Sequence, residues 1–207
     1  MEEMSDKEKP KEYIFDSVCF STNYSSFSSI KILKQFFMST ECMEVNNIND
    51  YKVTFKRKLK IGNNNEIECK NSYQEITLAN KVKINNEFDC IIIFLDLEYN
   101  ESLGELNKVL KIISNLSKND KNLYIVNFFT EEKDIKQNNK NEKNIKILLD
   151  KFAFSNCEIL TINMNISDEL IQKIDKITID VLQEKNLISF DNNNSNMDKS
   201  DSYCLII

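Results

Sequence analysis

The residues whose types and spacing most plainly specify chemistry are the last four, Cys204-Leu205-Ile206-Ile207. A thiol followed by two aliphatic residues and a terminal residue is the pattern on which a prenyltransferase builds a thioether, and a terminal Ile favours geranylgeranyl over farnesyl. Residues 191–203 contain three Asp and one Lys, so no polybasic stretch assists the lipid. No neighbouring cysteine offers a palmitoylation site, and Met1-Glu2 lacks the glycine that N-myristoylation needs. A single lipid acting alone anchors reversibly, so the folded part of the chain must help choose the membrane. The expected partners are therefore a prenyltransferase, the cytosolic surface of a membrane, a protein partner of unidentified kind and a prenyl-binding chaperone. The expected location is the cytoplasmic face of a membrane, with a cytosolic pool.

Other chemistries are narrowed by what the chain lacks. It has no His, which removes His-containing zinc sites, His general bases and Ser-His triads. Six cysteines stand singly at 19, 42, 69, 90, 157 and 204, with none of the short spacings of a redox pair or a thiolate metal site, so no metal is expected. Cys19, Cys69 and Cys90 lie in or beside apolar runs and read as small buried hydrophobes in a reducing compartment. A net charge of -6 argues against nucleic acid, and the one dense basic run, Lys56-Arg57-Lys58 with Lys60, reads as the solvated face of an edge strand. Gly62 and Gly104 are the only two glycines, which limits any loop whose backbone must approach a phosphate closely.

The elements that must position these groups follow from periodicity. Residues 1–12 are charged, hold the sole proline, Pro10, and read as a flexible tail; 13–189 form one domain; 190–207 read as a disordered polar tail ending in the lipid signal. No apolar N-terminal segment suggests a signal peptide or a membrane span. A first strand is predicted at 13–20 and a helix at 27–38, where Ile30, Leu33 and Phe37 recur at helical spacing. Alternation over 51–61, punctuation by Gly62-Asn63-Asn64-Asn65, and renewed alternation at 66–69 predict a hairpin. A short helix is suggested around 74–82. Cys90-Ile91-Ile92-Ile93-Phe94-Leu95 predicts a strand buried on both faces, as does 123–129. Helices are expected over 103–116, 145–152 and from Asp168 to Val181, with a charged loop at 131–143 and a last strand at 159–162. Together these describe a three-layer α/β domain with a mostly parallel sheet and one antiparallel edge strand.

This order, strand-helix, then a hairpin, then alternating helices and strands, resembles the small GTPases of the Ras superfamily, and the Rab branch most closely. The strongest match runs from Gln74-Glu75 across 15 residues to Ile91-Ile92-Ile93-Phe94-Leu95-Asp96, with Asn100-Glu101-Ser102 standing where the family has a similar triplet before a helix. The resemblance spans about 13 to 185 and implies a P-loop NTPase-like fold. Its nucleotide-binding motifs are eroded one by one. Where the family reads G-x-x-x-x-G-K-[ST], Ser21 and Ser26 replace the glycines and Phe27 replaces the lysine, leaving only the hydroxyl of Ser28. In the first switch, Asp50 stands at the magnesium-binding Thr, followed by Val53 and Phe55. In the second, Lys70 stands at the Asp, Tyr73 at the glycine, and Gln74 at the water-orienting glutamine. In the base-recognition motif, Phe128-Phe129-Thr130-Glu131 keeps one carboxylate, and Ile162-Asn163-Met164 occupies the later Ser-Ala-Lys segment.

What the resemblance implies is a catalytically inactive, GTPase-like adaptor in vesicle trafficking or membrane organisation. It would have no catalytic residue, Gln74 being a degenerate counterpart, and no expected cofactor at the degenerate phosphate loop of Ser21, Ser26, Phe27 and Ser28. Cys204 would carry the lipid, and Val53 and Phe55 are candidate partner-binding residues that also suit sheet packing. One alternative is a divergent GTPase that holds GTP or GDP and magnesium in an atypical way, with Lys31, Lys34 or Lys70 offsetting phosphate charge. Another is an unrelated prenylated α/β interaction protein.

Overall fold

The computed structural model describes residues 12–22, 28–38, 44–49, 51–61, 65–76, 88–96, 101–116, 122–129, 135–154, 156–163 and 167–188. Within them lie β1 (Glu12–Ser21), α1 (Ser29–Met38), β2 (Glu44–Asn49), β3 (Lys52–Ile61), β4 (Asn65–Ile76), β5 (Cys90–Asp96), α2 (Ser102–Leu116), β6 (Asn122–Phe129), α3 (Ile135–Lys151), β7 (Cys157–Asn163) and α4 (Ser167–Glu184). The strands form one seven-stranded sheet in the order β2-β3-β4-β1-β5-β6-β7. β3 is antiparallel to both of its neighbours, and β4, β1, β5, β6 and β7 run parallel.

Alternation along the strands divides the core into two layers. Phe15 and Cys19 of β1 and Ile92 and Phe94 of β5 face one side, where Ile30, Leu33 and Phe37 of α1 and Leu170, Ile174, Ile177 and Val181 of α4 cover them. Val18, Phe20, Ile91, Ile93 and Leu95 face the other, beneath Leu106, Leu110 and Ile113 of α2 and Ile145 and Leu149 of α3. A strand apolar on both faces has to lie inside a covered parallel sheet, and β5 does, between β1 and β6. Cys19, Cys69 and Cys90 are all fully buried, as their apolar settings predict.

One strand was not expected, and two expectations need correction. The antiparallel edge expected of the sheet is its β2–β3 end, where β2 lies outside β3; the sequence of β2, Glu-Val-Asn-Asn-Ile-Asn, carries too little apolar alternation to announce a strand and is held by pairing to β3. The charged stretch predicted as a loop at 131–143 is helical from Ile135, because its Lys, Gln and Glu residues are good helix formers and continue the turn register of Ile145 and Leu149. The helix suggested around 74–82 does not begin at Gln74: parallel pairing with β1 keeps β4 extended as far as Ile76, opposite Phe20. Residues 77–82 lie outside the described residues, as does the turn at 62–64.

One charged contact ties the hairpin to the last helix. Arg57 of β3, 7% exposed, points into the α4 side of the sheet, where its guanidinium donates to both carboxylate oxygens of Asp175 at 2.5 and 2.9 Å and lies 4.5 Å from the centre of the Phe37 ring. A planar fork matched to a carboxylate and stacked on an aromatic face is a geometry only Arg supplies. Burial holds the Asp175 carboxyl above its ordinary range, while Arg57 pulls it back down. Because the native value exceeds the unfolded one, this group favours the fold at low pH and loses that contribution as pH rises through the native value. Arg57→Met removes both influences that lower it and leaves a buried carboxyl alone. It is expected to cost about 3 kcal/mol near pH 7 and far less near pH 4, read from urea denaturation at the two pH values.

Candidate functional site

In an open parallel sheet the chain leaves neighbouring strands toward opposite faces at one place, and the crevice outside the carboxyl ends of those strands is where such folds bind ligands. Here that place lies between β1 and β5: β1 leads to α1 on one face and β5 to α2 on the other. The residues at this crevice are Ser21 and Thr22 after β1, Ser28 and Ser29 opening α1, Glu75 near the end of β4, Asp96 ending β5 and Ser102 opening α2.

Ser28 is the N-cap of α1. Its carbonyl accepts from the Ile32 amide at 3.1 Å, and its hydroxyl accepts from the Lys31 amide at 3.4 Å. The hydroxyl also donates to Glu75 Oε2 at 2.8 Å. Glu75 Oε1 accepts from the Ser21 hydroxyl at 2.6 Å, the Ser29 amide at 2.7 Å and the Ser29 hydroxyl at 2.6 Å. The Ser29 amide is shared, since it also reaches Ser21 Oγ at 2.9 Å. Glu75 is 1% exposed, and Ser21, Ser28 and Ser29 are buried with it. A buried carboxylate is tolerated only when its oxygens are fully met by donors. The positive end of the α1 dipole adds to the same effect. The chain thus places its own anion against the amide and hydroxyls of a helix start, the kind of position where phosphates bind in other folds.

Beside it a second polar cluster closes the β1–β5 side. The Thr22 amide donates to the Phe94 carbonyl at 3.0 Å, its hydroxyl accepts from the Asp96 amide at 3.2 Å, and the Ser102 hydroxyl stands 3.2 Å from that oxygen and donates to the Asp96 carbonyl. Thr22 and Ser102 are fully buried. The start of α2 is thereby pinned to the end of β5.

The residues singled out in the sequence fall differently. Ser21 and Ser28 meet at Glu75, while Ser26 and Phe27 lie outside the described residues, as do Asp50, Glu131 and Cys204. Gln74 lies near the end of β4, within the paired strand opposite Lys52 and Val18 and on the other face from Glu75. Lys70 is exposed on β4 opposite Lys56. Tyr73 is fully buried in an aromatic group, its ring centroid 6.0 Å from that of Phe55 and 6.2 Å from that of Phe15, and its phenol oxygen accepts from Asn71 at 3.1 Å. Val53 and Phe55 are 0% exposed, with the Phe55 ring centroid 4.5 Å from that of Phe37, so in this fold they are core residues beneath α1 and not a contact surface. Phe128 is likewise buried, stacked on Phe94.

Glu75 is the residue that sequence reasoning missed. It was legible only as half of a Gln-Glu pair, but the alternation Cys69, Asn71, Tyr73, Glu75 puts it on the face that α1 covers. Its charge reaches further: burial, reinforced by the Glu75 carboxylate, raises the Cys19 thiol well above its ordinary value, which keeps it protonated and unreactive. Among the described residues, no three His, Cys, Asp or Glu side chains gather in a way that would hold a metal ion. At the far end of the sheet, a shallow polar depression is lined by Asn122, Tyr124, Asn156, Cys157, Glu158 and Glu184. No protein-family model matches the chain, and neither does any curated protein sequence.

Replacing Glu75 by Ala leaves three buried hydroxyls without their acceptor and the Ser29 amide with Ser21 Oγ alone, and a loss of about 3 kcal/mol is expected. Glu75→Gln keeps one carbonyl acceptor and should lose less than half as much. Chemical denaturation of the two variants checks the order; equal losses would mean that the one acceptor and the volume that Gln keeps contribute nothing, and that only the full carboxylate serves the site.

Proposed function

We propose that this chain is a catalytically inactive, small-GTPase-like adaptor, tethered to the cytosolic face of a membrane through a prenyl group on Cys204 and acting in vesicle trafficking or membrane organisation. The order of elements, strand and helix, hairpin, then alternating strands and helices, supports the resemblance, with β2 as an added edge strand. The observation that carries the inactive reading is the Glu75 carboxylate at the start of α1. A phosphate brought to the Ser29 amide would meet that carboxylate at about 4 Å, where two unit charges repel by about 4 kcal/mol at an effective dielectric constant of 20. The donors that would receive the phosphate are already engaged. GTP and magnesium therefore do not fit the residues as arranged, and no hydrolytic step is derived through them. Without γ-phosphate contacts, a switch that orders and releases loops lacks its trigger, so partner binding would be constitutive or governed by other means.

One observation favours the second reading, a divergent GTPase. In P-loop enzymes magnesium is held between the last hydroxyl of the phosphate loop and a carboxylate from a neighbouring strand, and Ser28 and Glu75 are a pair of that type. Here they bond directly at 2.8 Å, and the second carboxylate oxygen is taken by Ser21 and Ser29.

Titration calorimetry of the full chain with GDP or GTP and magnesium separates the two. The inactive reading predicts no saturable heat up to millimolar nucleotide, whereas micromolar binding would establish the second. In cells, Cys204→Ser is expected to move the protein from the membrane to the soluble fraction; unchanged fractionation would remove the tether.

A further inference from the structure

The chain has a net charge of -6, yet its charge is unevenly placed. α4 carries five carboxylates against Lys173 and Lys176, whereas α3 carries five lysines against Glu142 and Asp150. On α3, Ile145 and Leu149 turn inward to the core beneath the sheet, and Leu148 packs at its margin. The opposite face follows from the 100° advance per residue: Lys143 and Ile147 lie about 40° apart, with Lys146 and Lys151 to either side and Asp150 as the one carboxylate among the described side chains of this face. Lys143, Lys146 and Lys151 are exposed. Ile147, in the midst of them, is 56% exposed, which is unusual for a β-branched aliphatic on a helix that already has a buried stripe. α2, packed beside α3, adds Lys108 and an exposed Lys111 against Glu105.

We propose that the outer face of α3 is a second membrane contact, laid on an anionic bilayer surface with Lys143 and Lys146 at the headgroups and Ile147 at the apolar boundary. This rests on the tethered reading above and supplies what that reading lacks, a second signal beside one lipid. A lone chain anchors weakly, and basic side chains near an anionic leaflet each add about a fivefold gain in affinity. The reach is adequate. The chain leaves α4 beside Glu184, which shares a depression with Asn156 and Cys157 just beyond α3, so the two helices, on opposite faces of the sheet, finish at the same end of its strands. The 16 residues from Ile188 to Cys204 span at most about 55 Å, and α3 is about 25 Å long. A lipid on Cys204 can therefore enter the bilayer that α3 lies on.

The test is vesicle co-sedimentation of the full chain, both geranylgeranylated on Cys204 and as Cys204→Ser, on phosphatidylcholine vesicles with and without about 30% phosphatidylserine. Both forms should bind the anionic vesicles more tightly. That gain should fall on the order of 20-fold in Lys143→Ala/Lys146→Ala, fall again with Ile147→Ser, and vanish at high salt. Lys58→Ala/Lys60→Ala, which removes equal charge from β3, should leave it within about twofold. Thermal melts confirm that the variants fold. An anionic-lipid gain unaffected by the α3 substitutions, equal loss in the β3 variant, or tighter retention of a DNA duplex than of the vesicles would each overturn the proposal. If Cys204→Ser leaves membrane attachment in cells unchanged while the α3 substitutions abolish vesicle binding, the tether fails and the α3 contact stands.

Discussion

The carboxylate of Glu75, buried at the start of α1, is the interaction on which the arrangement of this protein depends. It joins three elements that are distant in sequence. Pairing of β4 with β1 sets Glu75 opposite Cys19, and the same register carries Ser21 to the level of its carboxylate. α1 can begin at Ser28 only because an acceptor waits there for its first free amide. A charge placed so deep is affordable only with all its donors in place, so strand register, helix start and serine side chains constrain one another. The same constraint explains the serines that meet there: the hydroxyls of Ser21, Ser28 and Ser29 serve a buried carboxylate well.

What was legible in the sequence was whatever burial writes as periodicity. The β-branched run of β5 and the stripes of α2 and α4 were read correctly, because a covered sheet leaves few other uses for such patterns. β3 was read correctly as a strand, but Arg57, taken with Lys56 and Lys58 as part of a solvated face, is buried against Asp175. What was not legible was set by partners far along the chain. β2 is a strand because β3 offers it an edge, and its own polar sequence contains almost nothing of that. α3 begins ten residues early by the measure of its apolar stripe, since the helix propensity of its Lys, Gln and Glu residues leaves no apolar pattern in the sequence. Glu75 was hidden for the same reason: a buried carboxylate has no pattern of its own, and only the fold shows which hydroxyls converge on it.

The candidate site was legible unevenly. The losses at Ser21, Tyr73 and Phe128 could be seen against the family pattern, but not what replaced the lost contacts. In the folded protein Tyr73 and Phe128 are hydrophobic core, and Val53 and Phe55 join them beneath α1. Positions that the family's pattern assigns to nucleotide or partner are used here for stability. The membrane contacts proposed above lie elsewhere, at the lysines of α3 and at Cys204; on that proposal the protein would be regulated by where it is anchored more than by what it has bound.

The central claim is that the start of α1 is permanently held by Glu75. It is tested most directly by hydrogen exchange at the Ser29 amide, with and without GTP and magnesium. The account predicts slow exchange that nucleotide leaves unchanged, because that hydrogen is already given to a buried carboxylate. Fast exchange in the free protein, or protection that appears only with nucleotide, would contradict it.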